Sequence, residues 1–234
     1  MNKMILFLLC MANALIASAQ YCCLQEGQKL RYEMFDGEKS SEIISSVVNV
    51  EERNDSCFVT VRDSVPEMNE RLKGATLCSR MACSGGNTLV YLQDENTGRE
   101  NIYSMLSGAL DEKQLAEAKD KFSMEGEISL LLNDGMKEGD KLAPCEMTIH
   151  IGPLSMKTTM KGKCEGREIL SVPAGQFECV KVAYTLKLKF FLFSETSEVT
   201  EWYAKGVGLV KHEETSKKTG KTMVKTLNLF PASR

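Results

Sequence analysis

Apolar and polar positions alternate with a period of two through most of the chain, the signature of strands with one buried face. Leu30, Tyr32 and Met34 share a face, Lys29, Arg31 and Glu33 take the other, and Asp36-Gly37 ends the run with a turn. Ile44, Ser46, Val48 and Val50 alternate next; Asn54-Asp55 then turns the chain into Cys57, Val59 and Val61. A further short strand is predicted over 88–92, and residues 66–72 read as a loop or one helical turn. Residues 110–122 (LDEKQLAEAKDKF) are rich in helix formers and place Leu115, Ala118 and Phe122 on one face. This helix is expected to cover the sheet, and Gly126 to mark its far boundary.

The C-terminal half carries the clearest pattern. Segments 145–151 and 156–164 flank Gly152-Pro153 as a hairpin. Cys145 and Cys164 are therefore expected near cross-strand positions, the first candidates for a disulfide. Val172-Pro173-Ala174-Gly175 has the Pro and Gly placement of a type I turn. Beyond it Val180, Val182, Tyr184, Leu186, Leu188 and Phe190 alternate with Lys181, Ala183, Thr185, Lys187 and Lys189. An unbroken strand over 180–193 would reach ~48 Å at ~3.4 Å per residue. Such lengths belong to barrels or strongly bent sheets. Segments 207–215 and 222–230 flank Lys217-Lys218-Thr219-Gly220 as a final hairpin. No linker, repeat or composition shift divides the chain, which predicts a single domain over 20–234.

The first residues change the picture. Met1-Asn2-Lys3, an apolar run over 4–16 and Ala17-Ser18-Ala19 form the pattern of a cleavable signal peptide, residues 1–19, with Gln20 beginning the mature chain. The run is shorter than the ~20 apolar residues that span a bilayer. Tyr21 stands before Cys22 where a lipidated cysteine needs a small residue, so the mature domain is expected to be released, periplasmic or extracellular, and not integral to a membrane. The net charge of −3 gives no electrostatic reason to expect nucleic acid. Eight cysteines follow residue 19, an even count that favours disulfides in an exported protein, with buried free thiols as the alternative. No Cys-x-x-Cys occurs, and His150 and His212 lie far from the cysteine pairs, so no metal site or cofactor is expected.

Four groupings are candidates for chemistry. Glu195, Glu198 and Glu201 could supply paired carboxylates, but in a strand such residues more often face solvent. His150 and His212 lie in strand patterns with no nucleophile elbow nearby. Gly206-Val207-Gly208 is half of a phosphate-binding pattern but precedes a strand rather than a helix, and reads as close backbone packing or a bulge. Phe190-Phe191-Leu192-Phe193 puts rings on both faces of a strand, one of them either covered by a neighbour or exposed to an apolar partner. None predicts an enzyme.

Residues 168–179 (EILSVPAGQFEC) and 200–211 (TEWYAKGVGLVK) resemble the TapB-like family of exported proteins of unknown function, typical of gut Bacteroidota. The resemblance covers about 136–229. It implies an open antiparallel β half-barrel with one helical element, similar in outline to LolA-type carriers, with Trp202 filling the barrel. With that fold the alternating side chains of the long strand, Tyr184, Leu186, Leu188 and Phe190, would line a site for an apolar or lipid-like molecule. The alternative is a structural or interaction component docking on an envelope protein.

Overall fold

The computed structural model describes residues 20–64, 75–107 and 110–230, so the expected signal peptide and the 66–72 segment lie outside the described residues. The first strands are β1 (Lys29–Phe35), β2 (Ser40–Arg53), β3 (Ser56–Ser64), β4 (Thr76–Ser84) and β5 (Asn87–Gln93). Helices α1 (Glu95–Leu106) and α2 (Glu112–Asp120) follow, then short strands β6 (Phe122–Gly126) and β7 (Ile128–Asn133). The remainder is a run of hairpins: β8 (Cys145–Ile151), β9 (Leu154–Val172), β10 (Gly175–Phe190), β11 (Phe193–Ala204), β12 (Gly208–Ser216) and β13 (Thr222–Leu229).

All thirteen form one antiparallel sheet in the order β6-β8-β9-β10-β11-β12-β13-β1-β2-β3-β4-β5-β7. Its two ends, β6 and β7, are one bent strand divided at Gly126-Glu127. The first half pairs with β8 and the second with β5. The sheet thus curls into a nearly closed antiparallel barrel, closed further than the open half-barrel that the resemblance implies. Where β7 and β8 leave a seam, the Cys145 thiol donates to the Ser129 carbonyl, 3.3 Å away.

Alternation sets most faces as read. Leu30 and Tyr32 are buried between exposed Lys29, Arg31 and Glu33. In β2 the phase is the opposite of the expectation: Ile43, Ser45 and Val47 are buried. The pairs Ile43-Ile44 and Val47-Val48 put apolar residues on both faces, so either phase looks acceptable in the sequence. The register with β1, Tyr32 opposite Ile43, decides it. A shift between Val47 and Asn49 then returns Val50 toward the core.

The long strand is β10, sixteen residues ending at Phe190. Phe191 and Leu192 form the β10–β11 turn rather than more strand, with Phe191 at φ +51°. Trp202 does not fill the barrel. It alternates with Glu201 and Tyr203, which line the cavity, and is buried on the other side of the strand between Lys181 and Lys211, whose ammonium groups lie 5.2 and 5.1 Å from its ring. Its indole N–H donates to Glu168 at 2.5 Å.

The covering helix is α1, not the expected 110–122 segment. Helix α2 forms inside that segment but buries no residue, and Phe122 is buried as part of β6. Helix α1 starts with a capping box between Asp94 and Thr97 and packs on β4 and β6. β5 pairs only with the Arg80–Ser84 part of β4, leaving the start of β4 without that neighbour. Buried Asn101 substitutes for it, accepting from the Cys78 N–H at 2.5 Å and donating to the Cys78 carbonyl at 2.9 Å. Replacing Asn101 with leucine leaves both Cys78 groups unpaired, and should cost about 2–3 kcal/mol in denaturant unfolding.

Candidate functional site

Inward-facing residues of β1–β5 and β11–β13 surround an internal cavity of about 370 Å³. Leu30, Tyr32, Val47, Val61, Met81, Val90, Leu92 and Tyr203 supply most of its wall; Met34, Leu77 and Met223 lie toward the rim that carries the β12–β13 turn. The opposite end is filled by the segment after residue 19. Tyr21 and Cys22 are fully buried, the Tyr21 N–H donates to Thr88 Oγ1 at 2.9 Å, and the Gly206 N–H donates to the Gln20 carbonyl at 2.8 Å. Of the two roles read for Gly206-Val207-Gly208, the segment shows backbone contact: Gly206 bonds Gln20, and a Cβ on Gly208 would stand 3.7 Å from the backbone of Tyr21 and Cys22.

Two ion pairs interrupt the apolar wall. His212 Nδ1 lies 2.9 Å from Glu201 Oε1, and Tyr203 donates its hydroxyl to Glu201 Oε2 at 2.9 Å. Glu214 approaches His212 Nε2 at 3.7 Å. Burial alone would lower the His212 pKa, but hydrogen bonds and charges from Glu201 and Glu214 override it and raise it to about 9. The same histidine holds Glu214 below the usual carboxylate range despite its burial. Burial, reinforced by Glu201, pushes Tyr184 and Tyr203 well above the ordinary phenol value. Nearer the rim, Lys225 Nζ lies 2.5 Å from Asp63 Oδ2 and 4.5 Å from the Tyr32 ring centre. Ser45 donates to the other Asp63 oxygen at 2.5 Å.

The residues proposed from alternation do not share this cavity. Tyr184 is buried in the core beside the Glu201 pair, and Leu186 and Leu188 are half-buried. Phe190 lies at the far end of β10, lining a separate groove of about 250 Å³ with Ile102, Met105 and Leu106 of α1. The acidic trio is also dispersed. Only Glu201 enters the cavity; Glu195 accepts from the Ser216 hydroxyl at 2.5 Å, and Glu198 pairs with Lys217 at 2.7 Å. His150 alternates with Met147, Ile149 and Ile151 on the opposite face of β8, away from His212.

The Cys145–Cys164 disulfide is not formed. The turn sets Ile151 opposite Leu154, so Cys145 faces Met160, four residues short of Cys164. Cys164 lies instead opposite Val182. All eight cysteines of the described residues are free thiols. Three gather at the closed end of the cavity: Cys22 and Cys83 touch, with sulfurs 2.9 Å apart, and Cys57 is cross-strand from Cys83. Among the described residues no three His, Cys, Asp or Glu side chains assemble as metal ligands, and no helix is long and apolar enough to cross a membrane.

A nearly closed antiparallel barrel, covered by one helix and holding an apolar cavity with two internal ion pairs, is the class of protein these observations define. The chain belongs to the DUF3108-like family, which it matches over residues 25–227. It is similar to a presumptive exported protein with a YmcC-like fold from Bacteroides fragilis, at 17% identity and TM-score 0.62, over 90% of this chain and 98% of that one. A presumptive lipoprotein from Parabacteroides distasonis is as similar in fold, at 15% identity and TM-score 0.62, with the same coverage of both chains. No curated protein matches the chain. The narrower TapB-like name and the LolA-like outline are not carried by these matches.

Proposed function

We propose that this protein is an exported, non-catalytic module of the bacterial cell envelope that holds an apolar or lipid-like molecule inside its barrel. The observation that carries this reading is the internal cavity, about 370 Å³ and walled mainly by apolar side chains. That volume falls in the usual range of small-molecule sites, ~300–1,000 Å³. Its charged groups are already neutralised in pairs, Lys225 by Asp63 and His212 by Glu201. An entering anion would have to displace a carboxylate, whereas an uncharged apolar body needs only the surface that Val61, Met81 and Leu92 offer. Export is supported by the signal-like pattern of residues 1–19 and by the descriptions of the two structural neighbours.

Protein purified without detergent should release a bound apolar molecule on denaturation, detectable by mass spectrometry. Delipidated protein should bind a fluorescent fatty-acid analogue saturably. Met81→Trp and Val61→Phe fill part of the cavity and should weaken that binding about tenfold or more while leaving the circular dichroism spectrum intact. Wild-type protein that carries nothing and binds no analogue would overturn the reading.

A further inference from the structure

We propose that the rim bearing the β10–β11 turn docks on an anionic lipid bilayer surface. The inference does not depend on the cavity being filled. Phe190, Phe191, Leu192 and Phe193 are 37, 87, 91 and 46% exposed, a continuous apolar tip at the end of the longest hairpin. Phe191 holds φ +51°, where Gly or Asn would sit more easily, so a bulky ring is kept at a position that disfavours it. The neighbouring turn adds Leu154, 51% exposed, and Phe190 stands across from Met156. Beneath both turns runs the groove under α1, whose lining is wholly apolar.

The charge around this tip identifies its occupant. Residues 152–163, 186–194 and 215–225, which form the three adjacent turns and the nearest parts of β9, β10 and β13, contain lysines and no acidic residue, whereas β11 and β12 bring Glu195, Glu198, Glu213 and Glu214 just beyond them. Lys157 and Lys189 are directly opposed across β9 and β10, a like-charge pair that weakens the sheet in isolation. Lys218 lies 5.0 Å from the Phe193 ring centre. Acids from neighbouring strands reach only part of this set: Glu146 pairs with Lys157, Glu198 with Lys217 and Glu38 with Lys221. Among the described residues Lys187, Lys189 and Lys218 have no ion-pair partner. The chain as a whole carries net charge −3, so the basic rim is a local polarity that orients the molecule toward an anionic plane. An apolar cap a few residues deep, ringed by lysines long enough to reach outward, matches acyl chains beneath anionic headgroups.

The test is sedimentation of protein, recovered after export of the full chain, with vesicles of phosphatidylglycerol and phosphatidylcholine or of phosphatidylcholine alone. Binding is expected to the anionic vesicles at low salt, falling as salt rises, with little to the neutral ones. Phe191→Ser with Leu192→Ser should weaken it about tenfold, as should Lys187→Glu with Lys189→Glu, both without lowering the melting temperature. Leu192→Trp should shift its emission to the blue on anionic vesicles while buried Trp202 reports no change. Absence of binding at low salt, or equal binding by all variants, would overturn the proposal. So would a wild-type dimer that Phe191→Ser with Leu192→Ser dissociates, since the tip would then be the seat of a second copy.

Discussion

Gly126→Ala should destabilise the barrel by about 3–5 kcal/mol, because this glycine lets the sheet meet itself. Gly126 holds φ +77° at the bend between β6 and β7, and a Cβ there would stand 2.2 Å from the Glu146 carbonyl oxygen of β8. Left-handed backbone strain accounts for ~1–2 kcal/mol, and the rest comes from moving the β8 backbone away. Gly139→Ala is the control: its φ is +88°, but nothing lies within 4 Å of the added carbon. Chemical denaturation should show only the strain cost for Gly139→Ala and the larger one for Gly126→Ala. Hydrogen exchange should localise the Gly126 defect to β6, β7 and the facing edge of β8. Equal destabilisation by the two substitutions would mean that β8 yields freely and closure is soft.

That closure was the part of the fold hardest to see in the chain. Hairpins were legible because both partners and their turn are contiguous, as in β8–β9 around Gly152-Pro153 and β12–β13 around Gly220. The pairing of β7 with β5 joins strands separated by two helices, and the local pattern holds no trace of it. Helix α1 is hard to read from the sequence because Asn96, Thr97, Gly98 and Asn101 are poor helix formers. Two of these residues have tertiary reasons to be there. Asn101 replaces a missing strand partner, and Gly98 makes room for Met124, whose sulfur would lie 2.8 Å from an added Cβ. The Asp94-x-x-Thr97 cap was the signal that could have revealed it.

The cavity was half legible. The period-two pattern of β1 and β3 puts Leu30 and Tyr32 on one face and Val61 in step with Cys57 and Val59, and Leu30, Tyr32 and Val61 all line it. The length of β10 is no guide to the cavity, because its inner residues Val180, Val182 and Tyr184 are packed into the hydrophobic core rather than left open. The ion pairs escaped for a different reason. A glutamate at 201 looks the same in composition whether it points out or in. The usable sign was its phase, since Glu201 alternates in step with Val199 and Tyr203, which are core residues.

Glu201→Ala should therefore behave unlike any surface change, costing about 3–5 kcal/mol near neutral pH by leaving His212 charged and largely buried without its main partner. The effect should depend on pH, and its direction follows from the shift of the histidine. His212 is raised from 6.5 in the unfolded chain to about 9 in the fold. The stabilisation is complete below about 6.5 and disappears as pH climbs through about 9. A displacement of that size corresponds to roughly 3 kcal/mol, shared with Glu214 and tempered by the Lys225 ammonium next to it in the register. His212→Gln should consequently be less stable than wild type at pH 6, and the gap should narrow steadily toward pH 9. Urea midpoints of the two proteins measured across that window provide the check. A gap that stays constant would mean that His212 is neutral in the fold and that the cavity wall carries hydrogen bonds rather than an ion pair. Because the pair lies at the cavity wall, analogue binding measured in parallel separates the two consequences. A ligand held by apolar contact should lose little affinity over this pH range while the barrel around it loses stability.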